Sequence, residues 1–178
     1  MEAVKKLLHL NETKGSPLQG RIDPLRIGAA GHSQGSTGVI NAHTRYPEGS
    51  VFRALAAIAL PALHWCDPED KYVVGQVKTP LFIVGGMKDR MIAPLFSNLR
   101  AFEGIPAGTK AVMAMAQGAG HNEIQGTGGR YGGYLTAWLR CLLMDDAFAR
   151  QAFWAEQPEI AAHPNWKHTR IKPVSLTG

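Results

Sequence analysis

Three residue types spread along this chain could together cut an acyl bond. Ser33 lies within Gly31-His32-Ser33-Gln34-Gly35, the G-x-S-x-G pattern in which a sharp strand-to-helix turn lifts a serine hydroxyl above a sheet. A neutral serine is a weak nucleophile, so the pattern acquires meaning when a base and an orienting acid follow it in the order serine, acid, histidine. Asp89, in Gly85-Gly86-Met87-Lys88-Asp89-Arg90, and His121, in Gly118-Ala119-Gly120-His121-Asn122-Glu123, meet that order. In these roles His121 takes the proton of Ser33 as the hydroxyl attacks an ester carbonyl, and Asp89 fixes the imidazole tautomer and steadies its cation. Gln34, first in the helix after the serine, offers its amide to the developing oxyanion at the positive end of the helix dipole. The implied reaction is that of a serine carboxylic-ester hydrolase working through an acyl-enzyme, and it requires neither a metal nor an organic cofactor.

Each assignment competes with a plainer one. A Gly-flanked serine can be an ordinary helix cap, a loop aspartate an N-cap or a surface charge, and a loop histidine a solvated side chain. Position separates the readings, because each of the three follows an expected strand, and the carboxyl ends of parallel strands form the ligand edge of a sheet. Asp67, Asp70, Asp145 and Asp146 sit in charged loop sequence or at a helix end, and His9, His43, His163 and His168 fall on helices or in the tail. His32 reads as the variable residue of the turn, and His64 stands out because it shares a loop with Trp65. Gly31 and Gly35 are expected to remove Cβ atoms where strand and helix pass closely.

The elements needed to hold this constellation can be read from pattern. A short helix opens the chain and ends near Asn11 and the Gly15-Ser16-Pro17 cluster. Buried strands are expected at residues 25–31, 54–60, 81–86 and 111–116, although the alanines of the second suit a helix equally well. Helices follow at residues 34–46, 94–103 and 131–144, the last with Tyr134, Leu135, Trp138, Leu142 and Leu143 inward. Beyond Phe148 one or two helical turns are expected before Pro158, Pro164, Asn165 and Pro173 interrupt the chain. Strands alternating with helices imply an α/β architecture with a parallel sheet and right-handed crossovers, here as one domain over residues 1–178.

Bulk composition narrows the remaining classes. The chain has 178 residues, 45% hydrophobic and 19% charged, with formal charge +5; that is long enough for a self-sufficient core. Its basic residues are scattered and form no stripe, and no base-reading module accompanies them, which argues against nucleic acid as a partner. Cys66 and Cys141 fit neither a disulfide framework nor a metal-ligand spacing and are read as free thiols. The longest apolar stretch, residues 54–63, is too short to span a bilayer, and the N-terminal residues do not have the form of a signal peptide. The compartment stays open.

The turn and its flanks resemble the bacterial cutinase and polyester hydrolase family, which includes the PET-degrading enzymes and sits beside the dienelactone hydrolases within the α/β-hydrolase fold. The similarity covers most of the chain and rests on Asn11-Glu12-Thr13, Ser16-Pro17 and Gly20-Arg21-Ile22-Asp23 ahead of the first strand, Asp89-Arg90-Met91-Ile92-Ala93-Pro94, and Ala137-Trp138-Leu139-Arg140 after the base loop. The resemblance implies that Trp65, with His64 beside it, packs on the acyl part of an ester, small or polymeric. It also implies that Gln34 stands where such enzymes usually carry Met, and Ser36 where many carry Gly. The terminal disulfide frequent in the family has no counterpart here, and secretion would follow from the resemblance if a longer form carried a signal peptide. In that family several strands precede the nucleophile turn, and one of their loops gives a second oxyanion donor. With those strands absent, the nucleophile strand is expected to form an exposed sheet edge. This predicts either a piece of a longer protein or an assembly in which a partner or second copy covers the edge; the competing function is then a weakly active or non-catalytic module that pairs there.

Overall fold

A computed structural model describes residues 1–172; Pro173, expected to break the tail, lies outside the described residues. Five strands form one sheet in the order β1-β2-β3-β4-β5: β1 (Ile27–His32), β2 (Phe52–Ile58), β3 (Leu81–Gly86), β4 (Ala111–Ala116) and β5 (Trp166–Lys172). The first four are parallel, and β5 runs antiparallel to β4. Helices α1 (Glu2–Glu12), α2 (Gln34–Thr44), α3 (Leu95–Gly104), α4 (Gly132–Leu143), α5 (Ala147–Trp154) and α6 (Glu159–Ala162) flank it. This is the α/β-hydrolase architecture.

Residues alternate across the central strands, so the sheet separates two cores. Leu55, Ala57, Leu81, Ile83, Met113 and Met115 pack with Val39 and Ile40 of α2 and Ala101 and Phe102 of α3. On the opposite face Ala54, Ala56, Phe82, Val84, Val112 and Ala114 meet Trp138 of α4, Phe153 of α5 and Ile160 of α6. Both faces are covered, which is why these strands read as continuous apolar runs. The alanines of β2 let the helices approach closely: Trp138 lies over the strand and donates its indole N–H to the Leu55 carbonyl at 3.0 Å. β2, for which sequence also allowed a helix, is therefore a strand, set by its place between β1 and β3.

β1 is the margin of the described sheet on its side. Just past it, the Ser33 amide donates to the Ile58 carbonyl of β2 at 2.9 Å. Strand alternation then turns the backbone groups of Gly28, Ala30 and His32 away from β2. The opposite margin is β5, which sequence reading missed. It pairs with β4 around an irregularity between Met113 and Met115, and its His168 sits at φ 52°. No helix among the described residues is long and apolar enough to cross a membrane.

Candidate active site

The turn after β1 has the geometry its sequence demands. Ser33 adopts φ 55° and ψ −125°, a conformation that costs a non-glycine residue about 1–3 kcal/mol and persists where its surroundings over-determine it. Those surroundings include Ser36, fully buried, whose amide and hydroxyl both donate to the Ser33 carbonyl, at 2.8 and 2.5 Å. A Cβ at Gly31 would come within 2.1 Å of the Gly35 carbonyl oxygen, so glycine is required there. Gly35 differs from expectation: a Cβ at that position points into open space, because the close approach uses its backbone rather than its missing side chain.

Asp89 and His121 arrive at the same rim from the ends of β3 and β4. The Asp89 side chain is 3% exposed, and its carboxylate is fully engaged. One oxygen accepts the amides of Ile92 and Ala93 at 3.2 and 3.1 Å; the other accepts Nδ1–H of His121 at 2.5 Å. A carboxylate can only accept, so Nδ1 carries the imidazole proton and Nε2 is left as an acceptor. That nitrogen stands 2.9 Å from Ser33 Oγ, across 88 positions of sequence. The three side chains thus form one continuous chain of hydrogen bonds.

A cavity of about 380 Å³ opens beside the hydroxyl, lined by His32, Ser33, Gln34, Pro61, Trp65 and Ile92. Trp65 is half exposed and is held by its indole N–H donating to the Met91 carbonyl at 2.9 Å. The amides of Ser33, Trp65 and Ile92 are committed to Ile58, Ala62 and Asp89, respectively. The Gln34 amide, first in α2, has no acceptor within its helix. His64 is not brought to this cavity. Its ring packs 5.6 Å from that of Trp65, and it lines a separate hollow with Tyr72 and Phe96. A larger hollow of about 670 Å³, between α4 and α5 near Phe148, contains none of these residues. Among the described residues no group of three or more His, Cys, Asp or Glu could hold a metal ion.

Residues 1–170, nearly the whole chain, match the PET hydrolase-like family. The chain belongs to that family. It is 32% identical over 135 residues to a bis(hydroxyethyl) terephthalate hydrolase of Streptomyces coelicolor, an alignment covering 75% of this chain and 40% of that relative. The chain thus spans less than half the length of the curated relative it matches.

Within this PET hydrolase-like chain, two parts of the site escaped sequence reading. The Ile92-Ala93 segment resembles family sequence, and its amides hold the Asp89 carboxylate. His32, read as the variable residue of the turn, places its Nε2 2.8 Å from the backbone carbonyl of His121. The available signal was its position next to Ser33, at the rim where the base loop also had to end.

Proposed function

We propose that this chain is a serine carboxylic-ester hydrolase, with Ser33 as nucleophile, His121 as general base and acid, and Asp89 as the carboxylate that orients it. The observation that carries the reading is the unbroken relay from Asp89 through His121 to Ser33, at 2.5 and 2.9 Å. Ser33 Oγ bonds to the ester carbonyl carbon as its proton passes to Nε2 of His121. The tetrahedral oxyanion is met by the Gln34 amide; collapse breaks the bond to the alkoxy oxygen, which leaves as the alcohol carrying the proton from His121. Water, deprotonated by the same imidazole, then attacks the acyl-enzyme and releases the carboxylic acid and free serine.

The relative's name supports hydroxyethyl esters of terephthalate as a substrate class, with Trp65 as the wall against which an acyl ring would lie. The test is release of p-nitrophenol from p-nitrophenyl acetate or butyrate and hydrolysis of bis(hydroxyethyl) terephthalate, each with Ser33→Ala in parallel. Loss of a triad member costs on the order of a millionfold in a complete site; equal rates for the parent and Ser33→Ala would overturn the assignment.

The marginal position of β1 favours a second reading, in which a second copy of the chain pairs along the outward groups of Gly28, Ala30 and His32. Sedimentation with a fluorophosphonate label separates the two: a stable dimer that takes no label at Ser33 supports a pairing module without catalysis.

A further inference from the structure

We propose that His32 is a positioning residue for the base, its imidazole N–H holding the main chain of His121 so that the ring of the base stands over Ser33. The proposal rests on the catalytic reading of Ser33 and His121 given above. A carbonyl oxygen can only accept, so at 2.8 Å from the His121 carbonyl the Nε2 of His32 carries a hydrogen and donates it. The two rings lie 4.9 Å apart, tilted by 47°.

Two consecutive residues therefore grip one residue 88 and 89 positions away: Ser33 meets the His121 side chain, and His32 meets its backbone. In a continuing strand, neighbours point to opposite faces. The turn at Ser33, with φ 55°, breaks that alternation and brings both side chains to the same partner. The grip falls where the base loop needs it. The loop carries left-handed glycines at 118, 126, 128 and 129, which give its backbone freedom. Its entry is tied down, with the Ala119 carbonyl accepting from the Lys88 amide and the Gln117 amide donating to Asn165. The His32 bond is what joins the main chain of residue 121 itself to the nucleophile's strand.

His32 also lines the cavity, so a wall for substrate and a tether for the base must be told apart. The experiment compares His32→Leu, which removes the donor at similar bulk, with His32→Gln, whose amide nitrogen can reach the same carbonyl. Steady-state hydrolysis of p-nitrophenyl butyrate is measured together with the proton NMR signal of the Nδ1–H bond between His121 and Asp89. The tether predicts that Leu lowers kcat about tenfold with KM changed less than about twofold, and that Gln recovers kcat to within roughly threefold of the parent. The NMR signal should stay sharp in the parent and Gln variant and broaden in the Leu variant.

An unchanged kcat in His32→Leu overturns the proposal, as does a change confined to KM or equal impairment of both variants. If His32→Leu does not fold by circular dichroism, His32→Gln decides alone, and a folded Gln variant with a tenfold loss defeats the tether. Failure of the underlying reading looks different. In that case parent Ser33 takes no fluorophosphonate and Ser33→Ala hydrolyses as fast as the parent, and the tether falls with it; a labelled Ser33 with an unaffected His32→Leu rate defeats the tether alone.

Discussion

Gly86, at the end of the strand that precedes Asp89, lies directly against Ala119 in the loop that carries His121. A Cβ built at Gly86 would stand 2.3 Å from the Ala119 carbonyl oxygen and 2.9 Å from that of Gly120, both backbone atoms that cannot rotate away. The segments that carry Asp89 and His121 are therefore held in register by a missing side chain. Gly86→Ala should displace His121 from Ser33 and lower kcat about 100-fold, the scale of a misplacement near 1 Å. Gly35→Ala, with open space at its Cβ, should keep activity within about twofold, since a helix gains from alanine. Esterase assays on the folded fraction of each variant check the contrast.

Asp89→Asn should separate chemistry from stability. The asparagine carbonyl can still accept the Ile92 and Ala93 amides, so the urea midpoint should stay close to that of the parent. Its amide group now faces Nδ1 of His121 and favours the wrong tautomer, and kcat should fall about 10,000-fold. Asp89→Ala should lose both, because two amides are left without their acceptor, costing about 1–3 kcal/mol in urea unfolding.

Trp65→Ala should raise KM about tenfold for aromatic esters with a smaller change in kcat, since it removes a wall and leaves the relay intact. Trp65→Phe keeps a ring but loses the bond to the Met91 carbonyl, and should fall between the two. A KM independent of residue 65 would place the acyl group elsewhere.

Alkaline conditions should destabilise the fold through its buried thiols and phenols. Burial pushes the thiols of Cys66 and Cys141 up from their ordinary 9.0, and those of the phenols Tyr72 and Tyr131 well above their ordinary 10.0. The unfolded chain releases these protons at the ordinary values while the folded chain keeps them. Their contribution is therefore complete below about pH 9 and is lost as pH rises further. The urea midpoint should be level between about pH 7 and 8.5 and fall by about pH 10.5; a level midpoint throughout would contradict the assigned burial.

The sequence made the site legible because the chemistry constrains it twice, by residue type and by placement after a strand. The turn at Ser33 and the loops of Asp89 and His121 were each singled out from local pattern, and the structure brings the three side chains together. His64 was grouped with Trp65 by adjacency, yet neighbours in a short turn can line different hollows, and His64 lines one with Tyr72 and Phe96. β5 was illegible for a related reason. Lys167, His168 and Arg170 are exposed, and among its residues Trp166 is the one fully buried; a charged marginal strand lacks the apolar signal that marked the inner four. Its pairing partner is also far away in sequence, beyond the reach of local propensity.

The two margins of the sheet are built on opposite terms. β5 presents lysines, an arginine and a kinked backbone, features that repel an incoming strand. β1 reads Ile-Gly-Ala-Ala-Gly-His, small for most of its length and free of Lys, Arg, Asp and Glu. Extension of the sheet by further polypeptide is therefore favoured in one direction, and whatever came to lie there would rest against the strand whose end carries Ser33.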